Sequence, residues 1–175
     1  MRALIVYESM FGNTAAVADA IAAGLRPRFE VEVCPVSVAV NRPAPEVDLL
    51  VVGGPTHAFG LSRPATRQDA AGRTTTSVDT EIGVREWLDA ALPVPAPRGA
   101  AAFGTKIARP PWLPGSAAKS VGRRLRQLGY HLVVPPTDFR VTDMTGPLTA
   151  GELERATAWA AQLTTSEPGV PRSPR

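Results

Sequence analysis

Two short, almost entirely apolar stretches most constrain how this chain can fold. They are residues 3–7 (ALIVY) and 47–54 (VDLLVVGG). A strand that is apolar on both sides has both faces buried, which is typical of a parallel sheet covered by helices. The helix-forming sequences between the strands supply the crossovers that parallel pairing requires. We therefore predict an α/β protein, a doubly wound sheet of about five parallel strands with helices on both faces.

The other elements follow from hydropathy patterns and helix breakers. Further strands are predicted at 29–36, 99–105 and 131–134, the last resuming at 139–141 after Pro135 and Pro136. Helices are predicted at 14–25, 83–92, 116–130 and 149–163, with Ser116 as an N-cap and Thr149 and Glu152 spaced as a capping box. Residues 63–82 are predicted to form a short helix and a mobile polar loop. Residues 1–164 are expected to form one domain, and residues 165–175 a disordered tail.

The composition narrows the class of protein. Hydrophobic residues make up 44% and charged residues 20% of the 175 residues, as in globular proteins that work in water. No apolar run approaches the roughly 20 residues that span a bilayer, and the first residues turn polar too quickly for a signal peptide. The single cysteine, Cys34, excludes an internal disulfide framework and is expected to be buried at a strand end. We expect a cytoplasmic protein without membrane insertion.

Three loops leave the carboxyl ends of the predicted strands, at 8–14, 54–62 and 104–115. Ligands of open parallel sheets bind at that edge. The first loop opens a helix, so its free N–H groups and the positive end of the helix dipole favour an anion. Its side chains add donors, and its glycine lets the backbone approach a ligand closely. A phosphate site is predicted here, with a plain N-cap and turn as the alternative.

The same loop argues against several other kinds of site. It holds no lysine, so it is not the nucleotide P-loop, and it lacks the glycine spacing of the dinucleotide fingerprint. It holds no acid–base pair and no metal ligands, so neither catalytic residues nor a metal site are predicted. A response regulator would need clustered acidic residues after the first strand, where only Glu8 is available.

Residues 5–21, IVYESMFGNTAAVADAI, resemble the signature of the flavodoxin family at most positions. The order of strands and loops extends the resemblance to about Leu163. It implies the flavodoxin-like fold and FMN as the cofactor, with the flavin phosphate held in the first loop. The residues implied to enclose the phosphate are Ser9, Met10, Phe11, Gly12, Asn13 and Thr14.

The resemblance implies that the other two loops flank the flavin ring. In the second loop the implied contacts are Pro55, Thr56, His57, Ala58, Phe59 and Gly60, with His57 or Phe59 stacking on the ring. The third loop is similar to the FGSYGWSG stretch of some flavodoxin-like domains, which implies contacts from Phe103, Gly104, Thr105, Lys106 and Trp112. Trp112 is the candidate for the second ring face, with a surface aromatic packed on prolines as the alternative. The insert KIARPP departs from the family and places a cation where it would raise the flavin potential.

Positive charge is concentrated in the second half of the chain. Residues 98–147 hold eight basic and two acidic side chains. Six of the basic ones lie in the third loop and the helix after it: Lys106, Arg109, Lys119, Arg123, Arg124 and Arg126. They predict a basic rim around the ligand and a redox partner protein with an acidic docking patch, and a solvated helix face is the alternative. The stripe is short and lacks interleaved aromatics, so nucleic acid is not expected.

The functional expectation follows from the resemblance. It implies an FMN-binding protein that transfers electrons between redox partners. Two alternatives stay open, an NAD(P)H-dependent FMN or quinone reductase and a flavodoxin-fold domain that no longer binds flavin.

Overall fold

The computed structural model describes residues 1–41, 46–57 and 59–165. The strands are β1 (Arg2–Tyr7), β2 (Glu30–Pro35), β3 (Leu49–Pro55), β4 (Gly99–Ile107), β5 (His131–Leu132) and β6 (Thr137–Val141). The helices are α1 (Asn13–Leu25), α2 (Val36–Ala39), α3 (Pro64–Ala71), α4 (Val84–Ala90), α5 (Ala117–Gln127) and α6 (Glu152–Thr165). Within these residues no helix is both long and apolar enough to cross a membrane.

The strands form one parallel sheet in the order β2-β1-β3-β4-β5, and β6 also pairs with β4. The first part of β4 pairs with β5 at Gly99–His131, and the later part pairs with β6 from Phe103–Thr137 onward. The two short strands therefore occupy one position in the sheet. They are separated at Pro135 and Pro136, whose nitrogens have no hydrogen to donate to the ladder. The predicted sheet of about five parallel strands, one of them interrupted, is confirmed.

Helices cover both faces of the sheet, as predicted. Leu4 and Val6 of β1 join the core under α4 and α5, whereas Ile5 joins the core under α1 and α6. Neighbouring residues of a strand point to opposite faces, so an entirely apolar strand supplies both cores. Cys34 is buried, as expected for a small residue at a strand end.

Some predicted boundaries and caps differ from the structure. Ser116 caps α5 by accepting a hydrogen bond from the Lys119 N–H at 3.0 Å. The capping box predicted from Thr149 is wrong, because the Glu152 carboxylate instead accepts from the backbone N–H of Arg140 at 2.5 Å and pairs with Arg155 at 2.7 Å. The helix runs to Thr165, and the rest of the predicted tail lies outside the described residues. The short helix α2 was not predicted.

The segment after α3 was predicted to be a mobile loop, and the structure shows what holds its end. Arg67 of α3 is fully buried and donates to the carbonyl oxygens of Thr80 and Glu81, both at 3.1 Å. Its guanidinium also lies 3.1 Å from the Glu86 carboxylate. A buried arginine must have such partners to offset the loss of hydration. The chain leading into α4 is therefore fixed to α3 by one side chain.

Candidate functional site

A cavity of about 250 Å³ lies at the carboxyl edge of the sheet, where β1, β3, β4 and β6 end. Its lining comes from the ends of four strands, the loops after them and the start of α1, which are far apart in sequence. The lining residues are Ser9, Met10, Phe11, Asn13, Thr14, Pro55, Thr56, His57, Phe59, Thr105, Lys106, Ile107, Leu113, Pro114, Val141 and Met144. The structure thus brings most of the residues predicted from the three loops to one place.

The polar end of the cavity is the start of α1. Gly12 precedes the helix with φ 86°, no side chain caps it, and its first turn contains no acidic residue. The first backbone bond into the helix runs from Ala16 to Gly12, and no acceptor among the described residues faces the N–H groups of Asn13 and Thr14. The hydroxyl oxygen of Ser9 is buried and has no partner among the described residues. These donors and the uncompensated helix dipole suit an anion.

Two threonine hydroxyls join the floor of the cavity. The oxygens of Thr14 on α1 and Thr105 on β4 lie 2.8 Å apart, and both residues are buried. Each hydroxyl has one hydrogen, so the bond between them uses one and leaves the other for a further acceptor. The pair therefore fixes α1 against β4 and keeps one donor available to a ligand.

The second loop forms a tight turn that carries an aromatic ring to the cavity. The backbone groups of His57 and Gly60 exchange two hydrogen bonds, N to O at 2.8 Å and 3.0 Å. Phe59 has φ 73° inside this turn and is 64% exposed at the cavity wall. A non-glycine residue in the left-handed region is uncommon and persists where its surroundings fix it. Ala58 lies outside the described residues.

His57 lines the cavity, and its surroundings favour the neutral imidazole. Burial lowers the pKa of its imidazole below the usual value, and the negative charge of Asp69 acts in the opposite direction. A neutral imidazole can donate from one ring nitrogen and accept at the other. His57 therefore adds hydrogen-bonding capacity to the cavity without adding charge.

Lys106 shapes the third loop. Its ammonium donates to the carbonyl oxygens of Leu113 at 2.5 Å and Gly115 at 2.7 Å. A Cβ on Gly115 would lie 2.2 Å from the Cα of Phe59, so only glycine lets the third loop approach the second this closely. As a result, Leu113 joins the cavity wall.

The same loop turns Trp112 away from the cavity. Trp112 is 78% exposed and is not among the lining residues, so the structure does not bring it to the predicted position on the ring. Arg109 is also exposed, on the same outward part of the loop. The exposure of Trp112 agrees with the alternative of a surface aromatic.

Other predicted residues also lie outside the cavity lining. Phe103 is fully buried in the core under α1 and α6, so its side chain does not line the cavity. Gly104 faces α5, where a Cβ would lie 2.9 Å from the Ala118 nitrogen. Gly12 and Gly60 shape the first two loops without lining the cavity. These positions serve the framework of the site.

A fourth loop, missed in the sequence, completes the wall. It follows β6, and the lining here consists of Val141, the last residue of that strand, and Met144 of the loop. The side-chain amide of Asn13 donates to the Thr145 carbonyl at 3.1 Å. Gly146 has φ 99°, and a Cβ there would lie 2.5 Å from Asn13 Oδ1. The predicted strand at 139–141 could have indicated this loop. The carboxyl ends of parallel strands meet at one edge, so the loop after that strand must lie beside the other three.

A buried polar network supports the loops without lining the cavity. Glu8 accepts from the Ser62 hydroxyl and, at 2.9 Å, from the backbone N–H of Val84. Arg67 donates to the same hydroxyl at 2.9 Å. Burial raises the pKa of the Glu8 carboxyl, whereas these two hydrogen bonds and the charge of Arg67 act to lower it. The network fixes the chain after β1 to the segment between β3 and α3.

Comparison with solved structures identifies the fold. Flavodoxin 2 from Bacillus cereus shares 18% identity, with 94% of this chain and 98% of that chain covered and a TM-score of 0.67. A flavodoxin from the domain Archaea shares 21% identity over 93% and 96% of the two chains, with a TM-score of 0.63. The Streptococcus pneumoniae TIGR4 flavodoxin shares 17% identity over 94% and 98%, also with a TM-score of 0.63. The chain therefore has the flavodoxin-like fold. No family model matches the sequence, and a search of curated proteins gives no significant match.

Proposed function

We propose that this flavodoxin-like chain binds FMN in the cavity and transfers electrons between redox partner proteins in the cytoplasm. The observation that carries the proposal is the division of the cavity into two chemically different ends. The end at α1 presents unpaired N–H groups and the buried hydroxyl of Ser9. The other end presents apolar side chains, among them Phe59, Leu113 and Met144. A flat ring with a terminal monophosphate matches this arrangement.

The charges near the cavity also fit a flavin phosphate. The lining contains a single lysine among the described residues, and its ammonium is bonded to the carbonyls of Leu113 and Gly115. The phosphate would therefore be held by backbone dipoles and hydroxyls, in the way that helix N-termini hold anions. A bound FMN would supply the one- and two-electron chemistry, which side chains alone do not provide.

The chain's own residues would position the cofactor. The first turn of α1, Ser9 and the Thr14–Thr105 pair would bind the phosphate end. Phe59 offers an exposed aromatic face for the ring, since aromatic rings pack in offset or edge-to-face arrangements. His57 and Lys106 would set the electrostatic environment, and a cation near a flavin favours its reduced, anionic form.

The proposal is tested by the cofactor that the protein retains. The protein, purified without added flavin, should show a flavin absorption spectrum and release FMN in a ratio near one per chain. FMN-free protein should bind FMN more tightly than riboflavin, because riboflavin lacks the phosphate. Absence of flavin after purification, together with no binding on titration, would refute the proposal. Steady oxidation of NAD(P)H with a quinone would replace electron transfer between proteins by the reductase function.

A further inference from the structure

Three arginines lie near one another beside the second loop, one at the start of α3, one on α4 and one on α5. The guanidinium of Arg85, on α4, donates to the carbonyl oxygens of Leu61 at 2.7 Å and Ser62 at 3.0 Å. Arg63 follows Ser62 directly in the chain and is exposed. Arg124, on α5, pairs at 3.0 Å with Asp89, which lies one turn after Arg85 on α4. We refer to Arg63, Arg85 and Arg124 as the arginine cluster.

The cluster carries more positive charge than its surroundings neutralise. Burial, and then the charges of Arg124 and Arg63, lower the pKa of Arg85. Of the two carboxylates that oppose this effect, Glu86 is already engaged by Arg67 and Asp89 by Arg124. Like charges that face each other without enough counter-charge attract an anionic group.

The cluster lies at the rim of the proposed cofactor site. Phe59, which lines the cavity, is only four residues before Arg63, a span of at most about 14 Å. A Cβ on Gly60 would lie 3.6 Å from the hydroxyl of Ser120, which is one turn before Arg124 on α5. A group bound at the cluster would therefore be adjacent to the exposed aromatic edge of the cavity without entering it.

We propose that the arginine cluster is the docking surface for an acidic patch on the electron-transfer partner, an inference that rests on the proposed function. Arginine suits this role because its planar guanidinium binds carboxylates through two parallel hydrogen bonds. The cluster is a compact patch across three elements. A protein that binds single-stranded nucleic acid instead has a basic groove along the phosphate backbone and aromatic side chains that stack on the bases. The partner's carboxylates are therefore the favoured ligand.

The fold supplies a matched control within α5. Arg124 and Arg126 are both basic and lie on one helix, but they are two residues apart and point to nearly opposite sides of it. Of these two arginines, Arg124 is the one that pairs with a side chain of α4 in the described part of the chain. Arg85 is unsuitable for substitution, because its guanidinium also anchors the second loop at Leu61 and Ser62.

The experiment measures binding of a short fluorescein-labelled poly-glutamate peptide by anisotropy at low salt, with and without FMN. The double variant Arg63→Gln/Arg124→Gln should bind about tenfold more weakly, since one exposed ion pair changes affinity by up to about fivefold. Arg126→Gln should bind like the unmodified protein. Asp89→Asn should bind about two- to fivefold more tightly, because it releases Arg124 from its internal partner.

The outcomes separate this inference from the proposed function. If the purified protein contains no flavin and binds none on titration, but still shows this order of peptide affinities, the docking surface is supported and the cofactor proposal is refuted. Equal losses in the double variant and Arg126→Gln would overturn the docking surface, whatever the flavin content. A single-stranded DNA of equal charge that binds more tightly and loses the same factor in the double variant would also overturn it, in favour of nucleic acid. Thermal melting of each variant confirms that the compared proteins are folded.

Discussion

The hydrogen bond between Thr14 and Thr105 allows the sharpest test of the site, through substitution of each threonine by valine. Valine has nearly the shape of threonine without the hydroxyl. Thr14→Val would leave the Thr105 hydroxyl buried without its partner at 2.8 Å. Such an orphaned group costs about 1–3 kcal/mol of unfolding free energy. For a domain of this size that corresponds to a fall in Tm of about 2–4 °C per kcal/mol.

The double variant Thr14→Val/Thr105→Val removes both partners and leaves no orphaned hydroxyl. Its unfolding free energy should lie within about 1 kcal/mol of that of the original protein. This is a smaller loss than the sum of the losses in the two single variants. Urea unfolding of the FMN-free proteins measures these four free energies, those of the original protein, the two single variants and the double variant. Thr157→Val is the control, since that hydroxyl donates to Ala20 at 3.2 Å on the exposed surface of α6. A double variant as unstable as the sum of the singles would refute the bond's role in joining α1 to β4.

The single variant Thr14→Val also tests the proposed contact with the phosphate. If a threonine hydroxyl donates to a charged phosphate, its loss costs about 1.5–3 kcal/mol of FMN binding. Since about 1.4 kcal/mol is tenfold in affinity, Thr14→Val should weaken FMN by roughly tenfold to a hundredfold. Riboflavin, which has no phosphate, should bind with little change. Equal losses for both ligands, measured by fluorescence titration, would show that this hydroxyl does not contact the phosphate.

Three further predictions follow from the same geometry. Phe59→Ala should lower the affinity for both FMN and riboflavin. Trp112→Ala should change neither affinity, because Trp112 is 78% exposed and turned away from the cavity. Flavin fluorescence titrations would contradict this if Trp112→Ala lowered the affinities more than Phe59→Ala. Gly146→Ala should lower the unfolding free energy and displace the fourth loop, because Gly146 has φ 99° and an added Cβ would meet Asn13. An unchanged Tm with unchanged FMN affinity would show that this contact is unimportant. Glu8→Gln should change the pH dependence of stability. Burial raises the folded pKa of Glu8 above its ordinary value, so the unmodified protein is expected to lose stability relative to Glu8→Gln as pH rises above about 4.5, and parallel curves from urea unfolding would contradict this.

The position of the site was predictable because it depends only on strand order and direction. The apolar runs at 3–7 and 47–54 identify buried parallel strands. Parallel strands end at one edge, so the loops after them must meet there. The contact between Thr14 and Thr105 follows from that rule, although the residues are 91 positions apart in sequence. No side-chain detail was needed to place them together.

The side-chain arrangement was less predictable, because it depends on contacts between distant segments. Phe103 lies in a strand that is small or apolar on both sides, so alternation does not reveal which face it takes. The outward turn of Trp112 depends on the bonds from Lys106 to two carbonyls of the same loop. The fourth loop depends on β6 pairing with the later half of β4. A single sequence contains none of these pairings explicitly.

The place of Lys106 also changes where the protein presents positive charge. The sequence suggested a rim along the third loop, but the Lys106 ammonium is bonded to two carbonyls and supports the cavity wall. The arginine cluster draws Arg63 and Arg85 from the first half of the chain, where acidic side chains outnumber basic ones. Totals over sequence segments therefore do not reveal this cluster. Its three arginines come together only because the fold places α4 beside the start of α3 and α5 beside α4.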